Sequence, residues 1–406
     1  MTNETTFKND FPFFTDAGQG GAYLDNAASS QTPQVVLDAM HTYYVSSRAN
    51  VHRGLYRASE EASIAYEQAR VKVARFIGTK PREVIFTGGA TASSNMLVSM
   101  LEHSGMITKN DEIVTTIMEH HASLVPLQEL ARRTLAHIKH IPIQGLALDV
   151  DTAEKLITQK TKIVSVLLAS NVTGEINDVA RIAEMAHKVG AFVICDATAA
   201  VGHIPVDAHT LGVDALYFSG HKMCGPTGIG VLWVREELLE KLEPGIYGGG
   251  MVDTVTTTTA TWGLIPNRFE AGTPPIAEAI GLGAAVDYLT SVGIEHIRAH
   301  DENLTEETIS RLEKISGVRV IAEKEHGKNI GIVSFVIEGI HAHDVAYILG
   351  KEKVAVRAGH HCTMPFHTAL GVVASTRASF YFYNTREDVD ALIQGIATVQ
   401  HVFSAT

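Results

Sequence analysis

Short apolar segments alternate with stretches of helical periodicity from about residue 80 to residue 235. Several of these segments, such as the run IVSVLLA at residues 163–169, are apolar without a polar alternation. Continuous apolar runs of this length are typical of strands buried on both faces of a mostly parallel sheet. We therefore predict an α/β fold with a mostly parallel, doubly wound sheet. The predicted strands are residues 83–87, 112–116, 138–143, 162–169, 192–196, 215–219 and 228–234.

A helix is predicted between two of these strands, at residues 179–190. Ile182, Met185 and Val189 share one helical face, and Gly190 follows as a C-cap. Repeated strand–helix–strand units of this kind build the layers of a doubly wound domain.

The pattern changes after about residue 290, where we predict a smaller α+β domain. Its predicted elements are strands at residues 330–337, 354–357 and 377–383 and a final helix at residues 386–403. The predicted division of the chain is an N-terminal segment packing with the small domain (1–20), a large domain (21–290) and a small C-terminal domain (291–406). The Gly- and Thr-rich stretch 247–262 is predicted as a mobile loop or an exposed hairpin.

Length and charge exclude several classes of protein. The chain has 406 residues and a net charge of -12, so a nucleic acid or an anionic membrane surface is not expected as a partner. The polar N-terminus does not resemble a secretory signal, and no apolar run approaches the roughly 18 residues of a membrane span. We therefore expect a cytoplasmic protein.

Three cysteines are too few and too scattered for a disulfide framework or a zinc cluster. Cys195, Cys224 and Cys362 are widely spaced, and the sequence has no CxxC motif. We expect no metal site. Cys195 and Cys224 are interpreted as small buried apolar residues.

The segment SGHKMCGPTGIG places a lysine just after a predicted buried strand. Lys222 lies in a Gly-rich turn at the carboxyl end of that strand, where open α/β sheets bind ligands. A lysine in a loop is more often a solvated charge. A partly desolvated lysine, however, can form a Schiff base. Ser219 and His221 offer donors for a phosphate.

A carboxylate and a pair of histidines end two other predicted strands. Asp196 can keep a pyridine ring nitrogen protonated, or it can simply cap the next helix. His120 and His121 point to different sides, so they are a poor bidentate metal pair. One of them can stack on a flat cofactor while the other packs, or both can be packed core histidines.

The segment VRAGHHCTMP carries the third cysteine. Gly359 suggests an exposed turn, and the cationic neighbours Arg357, His360 and His361 favour the thiolate form of Cys362. Metal binding is the alternative for this segment, but no second ligand pair lies at zinc-site spacing.

The strings YLDNAASSQTP, NVHRGLYRAS, MEHHASLVP, SNVTGE, SGHKMCGPTG, FEAGTP, RAGHHCTMP and RASFYFYNT occur in this order along nearly the whole chain. Together they resemble the group II cysteine desulfurases (the SufS, CsdA and selenocysteine lyase type) of the class V aminotransferase-like family. This family uses pyridoxal 5'-phosphate (PLP). The resemblance implies a PLP-dependent transferase of fold type I.

The resemblance assigns the principal roles in the site. It implies that Lys222 holds PLP, that His121 stacks on the PLP ring and that Cys362 is the catalytic nucleophile. Other residues implied to contact PLP are Ala90, Thr91, Asn171, Asp196, Ser219 and His221, with Thr273 reaching in from the partner subunit of a homodimer. The residues implied to bind substrate are Asn171, Arg357 and Arg377.

Two positions depart from the family pattern. The family's glutamine, three residues after the aspartate, is Ala199 here, so a donor to the phenolic oxygen of PLP is lost. The phosphate loop, usually GTTEGIN, is GATASSN at residues 89–95, so one threonine and the glutamate are absent. We expect both changes to affect the tuning of the cofactor rather than its binding.

The resemblance implies a cysteine desulfurase. Such an enzyme converts L-cysteine to L-alanine, receives the sulfur as a persulfide on Cys362 and passes it to an acceptor protein for iron–sulfur cluster assembly. One alternative is a selenocysteine lyase acting on L-selenocysteine. The other is a non-catalytic PLP-fold scaffold for sulfur-carrier partners.

Overall fold

The computed structural model of the chain describes residues 5–15 and 21–404. Its α-helices are α1 Thr5–Lys8, α2 Pro12–Thr15, α3 Gln34–Ser46, α4 Arg57–Phe76, α5 Ala90–His103, α6 His121–Thr134, α7 Val150–Leu156, α8 Val179–Lys188, α9 Glu236–Leu239, α10 Ile276–Val292, α11 Ile294–Leu312, α12 Ala342–Lys351, α13 Met364–Ala369 and α14 Arg386–Ser404. Short 3-10 helices occupy Pro81–Glu83, Gly220–Lys222 and Asn267–Phe269.

The strands form one large sheet, one smaller sheet and three two-stranded pairs within these ranges. They are β1 Ala22–Tyr23, β2 Val84–Thr87, β3 Glu112–Thr116, β4 His137–Ile141, β5 Ile143–Gln144, β6 Ala147–Leu148, β7 Thr161–Leu167, β8 Phe192–Asp196, β9 Ala215–Ser219, β10 Gly230–Val234, β11 Val252–Val255, β12 Ala260–Trp262, β13 Val318–Ile321, β14 Ile332–Ile337, β15 Val354–Ala355, β16 Arg357–Gly359 and β17 Ser375–Ser379.

The large sheet has seven strands in the order β2-β10-β9-β8-β7-β3-β4. The strands from β9 to β4 are parallel, and β10 is antiparallel to both of its neighbours. The mostly parallel sheet predicted from the continuous apolar runs is therefore confirmed. Because β9, β8, β7 and β3 all run in one direction, their carboxyl ends meet at one edge of the sheet, and this edge carries the site described below.

The two faces of this sheet pack against separate hydrophobic cores. In β8, Phe192 and Ile194 join one core, while Val193 and Cys195 join the other. Side chains alternate between the faces of a strand, so a strand buried on both sides needs apolar residues at every position. Helices α5 and α6 cover one face, and helices α4, α8 and α10 cover the other. This arrangement confirms the doubly wound fold.

The smaller sheet follows the change of pattern near residue 290. Its order is β13-β14-β17-β16, and every pair in it is antiparallel. It has a hydrophobic core of its own, shared with helices α11, α12 and α14. The predicted strand 354–357 is in fact two strands, since β15 pairs with β1 and β16 pairs with β17. The predicted strand 377–383 lies two residues earlier at its start and ends at Ser379.

The N-terminal segment contacts both parts of the chain. Lys8 forms an ion pair of 2.9 Å with Asp388 of α14, while Asp10 accepts a hydrogen bond from Tyr288 of α10. Residues 1–4 and 16–20 of the predicted segment lie outside the described ranges. The division into domains at residues 21 and 291 stays a prediction.

The Gly- and Thr-rich stretch contains an exposed hairpin. Strands β11 and β12 pair as an antiparallel hairpin, and most of their residues are exposed. No helix in the described residues is long and apolar enough to cross a membrane.

Candidate active site

A cavity of about 180 Å³ lies at the edge where the parallel strands end. Its walls come from the ends of β7, β8 and β9, the starts of α5 and α6, and the segment before α13. It is lined by Ala27, Ala28, Ala90, Thr91, His120, Ala122, Leu167, Ala169, Asn171, Asp196, Thr198, Ala199, Ser219, His221, Lys222, Arg357, His361, Cys362 and Arg377. All residues predicted for the site line this cavity except His121 and Thr273.

Lys222 ends the short 3-10 helix that follows β9. Burial, followed by the nearby Arg377 guanidinium, lowers the pKa of Lys222 to about 8. Taking an ammonium out of water disfavours its charged form, and a neighbouring cation adds to this effect. A substantial part of the Lys222 amine is therefore neutral near pH 8, which is the form that reacts with a carbonyl group.

Asp196 ends β8 and is held by two donors. Its Oδ1 accepts a hydrogen bond of 2.9 Å from the Thr198 amide, and its Oδ2 accepts one of 3.2 Å from the Ser123 hydroxyl. Ser123 is also bonded to the Tyr217 hydroxyl. These two hydrogen bonds to Asp196 fix the direction of its carboxylate. Asp196 is suited to pair with a protonated ring nitrogen.

A second buried carboxyl group lies behind Asp196. Glu119 is fully buried, and burial, followed by the charge of Asp196, raises the pKa of Glu119 to about 8. Its Oε1 accepts hydrogen bonds of 3.0 Å from the Thr116 hydroxyl and the Leu167 amide. Two neighbouring buried carboxyl groups do not both ionise readily, so Glu119 is protonated when Asp196 carries the charge.

The start of helix α5 closes one end of the cavity. Gly89, with a φ of 129°, precedes this helix, and the Ala90 amide donates a 2.7 Å hydrogen bond to the Ser219 hydroxyl. A Cβ at Gly230 would lie 2.4 Å from the Gly89 Cα, so only glycine allows this close approach. The N-terminus of a 14-residue helix, with the Ser219 and His221 side chains beside it, is suited to an anion such as phosphate.

His120, and not His121, lines the cavity. His120 is the N-cap of α6, where its Nδ1 accepts a 3.1 Å hydrogen bond from the Ala122 amide. Burial, followed by the nearby Lys222, lowers the pKa of His120 to about 4, so its ring is neutral. His121 begins the helix and turns away, and its Nε2 accepts a hydrogen bond from the Met364 amide. The expectation that His121 faces the cofactor is therefore not met by the geometry.

Cys362 lies in a turn with an unusual backbone. His361 and Cys362 have φ angles of 49° and 59°, which place two consecutive non-glycine residues in the left-handed region. The His121 amide donates to the Cys362 carbonyl at 2.8 Å, and the Asn171 side chain donates to the His361 carbonyl at 2.8 Å. Contacts from two other segments therefore hold the strained turn that brings the half-exposed Cys362 to the cavity.

Arg377 reaches the cavity from β17 of the smaller sheet. It is 2% exposed, and it donates to the Asn171 carbonyl at 2.8 Å and to Asp25 at 3.2 Å. Burial lowers the pKa of Arg377 to about 10. Together with Arg357 it gives the cavity a cationic wall that suits a carboxylate.

Thr273 does not reach the cavity of its own chain. It lines a separate cavity of about 290 Å³ with Asn50 and Arg53, and its hydroxyl accepts a hydrogen bond of 3.4 Å from the Asn50 amide. The expectation that Thr273 serves the site of a partner subunit stays a prediction.

Sequence reasoning missed three residues that support the site. Ser123 and Glu119 flank the two histidines in the string MEHHASLVP, so a polar residue on either side of the pair was a usable signal. Asp25 pairs with Arg377 across 352 positions of the sequence, and nothing in the local pattern indicates such a partner.

The cavity has the hydrogen-bonding groups that PLP and an amino acid require. Four buried polar atoms from residues that line it have no partner among the described residues, namely Asn171 Oδ1, Thr198 Oγ1, His361 Nδ1 and Arg377 Nε. Buried polar atoms are rarely left unsatisfied unless a ligand or water completes them. An amine, a carboxylate partner for a ring nitrogen and an anion-binding helix start fit the carbonyl, pyridine and phosphate groups of PLP.

Comparison with known proteins agrees with this geometry. Residues 22–392 match the family described as aminotransferase class-V. A probable cysteine desulfurase of Streptomyces coelicolor is 45% identical over 99% of this chain and 98% of its own. A cysteine desulfurase of Haloferax volcanii is 45% identical over 94% of this chain and 90% of its own.

Two solved structures are also similar along their whole length. The apo cysteine desulfurase of Thermococcus onnurineus superposes with a TM-score of 0.93 at 38% identity, covering 97% of each chain. The cysteine desulfurase CsdA of Escherichia coli, solved as its S-sulfonic acid, superposes with a TM-score of 0.92 at 35% identity, covering 99% of each chain. With the family match, these relatives show that the chain belongs to the class-V aminotransferase family, whose members depend on PLP.

Proposed function

We propose that this protein is a PLP-dependent cysteine desulfurase that converts L-cysteine to L-alanine and receives the sulfur on Cys362. The observation that carries the proposal is the meeting of Lys222, Arg377 and Cys362 in one cavity. These side chains supply an amine, a carboxylate-binding cation and a sulfur nucleophile. The names of the full-length relatives support the same activity.

The residues that would hold PLP lie at three places in the cavity. Lys222 would bind its carbonyl carbon, Asp196 its ring nitrogen, and Ser219, His221 and the start of α5 at Thr91 its phosphate. When bound, PLP withdraws electrons from the Cα of an amino acid, which makes the Cα–H bond acidic. We assign the contact with the ring face to His120, since the neutral His120 lines the cavity and His121 does not.

Lys222 also has the chemistry of the proton-transfer residue. Freed when the substrate amine takes its place, the Lys222 amine, with a pKa of about 8, would be able to take the Cα proton on Nζ and return it near neutral pH. The substrate carboxylate would lie against Arg377 and Arg357, and the side chain of Asn171 would also bind it. These cations fix the amino acid so that its side chain extends toward Cys362.

Sulfur transfer then uses the Cys362 thiolate. Its Sγ attacks the substrate sulfur, so an S–S bond forms and the substrate C–S bond breaks. The electron pair of the C–S bond passes to Cβ, which takes up a proton and becomes the methyl group of L-alanine. Cys362 is left as a persulfide. A thiol of an acceptor protein would then take the terminal sulfur and regenerate the Cys362 thiol. We infer that the acceptor serves iron–sulfur cluster assembly and that the enzyme works as a homodimer.

The experiment measures L-alanine and sulfide released by the purified holoenzyme. We expect both products from L-cysteine in the presence of a reducing thiol, in equal amounts. We expect neither from L-serine, because a hydroxyl oxygen is not a site for thiolate attack. Equal turnover of L-cysteine by Lys222→Ala, or an absence of alanine with wild-type holoenzyme, would contradict the proposal. A parallel assay with L-selenocysteine tests the lyase alternative.

A further inference from the structure

A chain of hydrogen bonds links two buried histidines through one serine. Ser375 Oγ lies 3.0 Å from Nε2 of His361 and 3.0 Å from Nε2 of His367. On the far side, His367 Nδ1 lies 3.2 Å from the backbone carbonyl of Thr363. All of these side chains are buried, and burial lowers the pKa of both histidines, so both rings are neutral.

These contacts fix the position of each proton. A carbonyl oxygen only accepts, and the Thr363 hydroxyl, which lies 3.3 Å from His367 Nδ1, donates its hydrogen to the His360 carbonyl at 2.7 Å. His367 therefore carries its proton on Nδ1 and presents a bare Nε2. The Ser375 hydroxyl must then donate to His367 Nε2. Its oxygen is left to accept from His361 Nε2–H. His361, with its single proton on Nε2, keeps an unprotonated Nδ1.

That nitrogen is an acceptor without a donor. His361 Nδ1 is buried and has no hydrogen-bond partner among the described residues, and His361 lines the cavity next to Cys362. The nearby guanidinium groups of Arg357 and Arg377 suit the carboxylate of an amino acid. An amino acid whose amine has taken the place of Lys222 keeps one further hydrogen-bond donor when its side chain ends in a thiol.

We propose that His361 Nδ1 accepts a hydrogen bond from the side-chain thiol of the substrate, and that Ser375 and His367 hold His361 in the tautomer that makes this possible. The assignment rests on the proposed function. His361 thereby turns the substrate sulfur toward Cys362 and distinguishes an amino acid with a thiol from one without it. Ser375 and His367 are positioning residues, since they act through His361.

The tautomer is measured directly by ¹⁵N NMR of the histidine-labelled holoenzyme. His361→Gln identifies the His361 signals by their loss. We expect wild-type His361 to show a protonated Nε2 and an unprotonated Nδ1, and Ser375→Ala to disturb this pattern. A protonated Nδ1 in the wild type would overturn the proposal whatever the activity of the enzyme.

Two substitutions distinguish the proposed acceptor, His361 Nδ1, from His361 Nε2, which bonds to Ser375. His361→Asn places an amide oxygen near the position of Nδ1, whereas His361→Gln places an amide near Nε2, where it keeps the bond to Ser375. In Cys362→Ala holoenzyme, which binds but does not desulfurate, the absorbance of bound PLP reports the affinity for L-cysteine and for L-alanine.

We expect His361→Gln to weaken the binding of L-cysteine about threefold to tenfold, the range for losing one hydrogen bond, and to leave L-alanine unchanged. His361→Asn should retain the preference for L-cysteine. The proposal fails if His361→Gln keeps that preference, or if both ligands weaken equally. Failure of the proposed function would appear separately, as wild-type holoenzyme that forms no alanine from L-cysteine.

Discussion

At the scale of single residues, the chemistry depends on the neutral amine of Lys222. With a pKa near 8 the amine is about half neutral at pH 8, whereas an ordinary lysine is almost fully protonated there. We expect the association of PLP with the apoenzyme, followed by absorbance, to accelerate from pH 7 to pH 9 and then to level off.

The positive charge of Arg377 also affects the pH dependence of PLP association. Arg377→Met removes a positive charge beside Lys222, so the pKa of Lys222 should rise and the profile should move to higher pH. Arg57→Met, at an exposed position on α4, is the control and should leave the profile in place. A profile that does not move with Arg377→Met would show that burial alone lowers the pKa.

The hydroxyl of Thr198 is predicted to supply the donor that Ala199 cannot. Thr198 Oγ1 is buried without a partner in the described residues and belongs to a cavity residue, whereas His203 is engaged by Asp301 at 2.8 Å. A donor stabilises the phenolate oxygen of PLP. Thr198→Val should therefore raise the pH midpoint of the cofactor's absorbance change by about half a unit to one unit.

The matched control for this change is Thr198→Ser, which retains a hydroxyl and should keep the wild-type midpoint. If the midpoint is the same with valine and with serine, Thr198 does not contact the phenolic oxygen.

The sequence itself indicated Lys222, Asp196 and the histidine pair because each ends or follows a strongly apolar strand, whereas Asn171, Arg377 and Thr273 were expected only from the family resemblance. The residues alone did not decide between His120 and His121, and the resemblance assigned the cofactor contact to His121, whereas His120 lines the cavity. The two residues are adjacent, and which of them faces the cavity depends on the residue at which α6 begins. His120 has an extended backbone as the N-cap, and His121 is the first residue of the helix. This detail comes from the packing of α6 and not from local preference.

At the scale of elements, a buried ion pair ties helix α4 to the edge of the large sheet. Arg70 is 1% exposed, and it bonds to Glu270 at 2.7 Å and to the Val84 carbonyl at 2.7 Å. Glu270 in turn accepts from the Phe86 amide at 2.7 Å. Arg70→Met would leave Glu270 buried without its cation, so we expect a loss of about 3 kcal/mol in the free energy of unfolding.

Urea denaturation measures this loss, and Arg57→Ala provides the control. Arg57 forms an exposed pair with Glu61 on the same helix, and solvent screens such a pair, so its loss should change the free energy of unfolding little. Equal and small effects of the two substitutions would contradict the structural role given to Arg70.

The strands of the large sheet were predicted to within two residues at each end, because burial on both faces leaves a continuous apolar run. The strands of the smaller sheet were less predictable. The predicted strand 354–357 divides because Val354 pairs with Ala22 and Arg357 pairs with Arg377. Partners so distant in the sequence leave no local pattern.

At the scale of the whole molecule, we expect two subunits to share their sites. Thr273 lies by a separate cavity of its own chain, so its predicted contact with phosphate requires a second chain. Thr273→Val should weaken the binding of PLP by about 1 kcal/mol or somewhat more.

A mixed dimer of one Lys222→Ala subunit and one Thr273→Val subunit tests whether Thr273 contributes to the PLP site of the other subunit. The subunit that keeps Lys222 would receive the intact Thr273 of its Lys222→Ala partner, so its site should bind PLP as tightly as in the wild type. Weak binding at that site, as in the Thr273→Val homodimer, or full binding by a monomer, would contradict the shared site.

The central claim is that sulfur from L-cysteine is transferred to Cys362, and one measurement addresses it directly. The holoenzyme is mixed with one equivalent of L-cysteine without a reducing thiol, and the alanine formed and the mass of each cysteine-containing peptide are determined. We expect about one alanine per site and one added sulfur atom on Cys362, in the wild type and in Cys195→Ala alike. Cys362→Ala should bind L-cysteine and show neither product. Alanine formed by Cys362→Ala at the wild-type rate, or sulfur found on Cys195 or Cys224, would contradict the account.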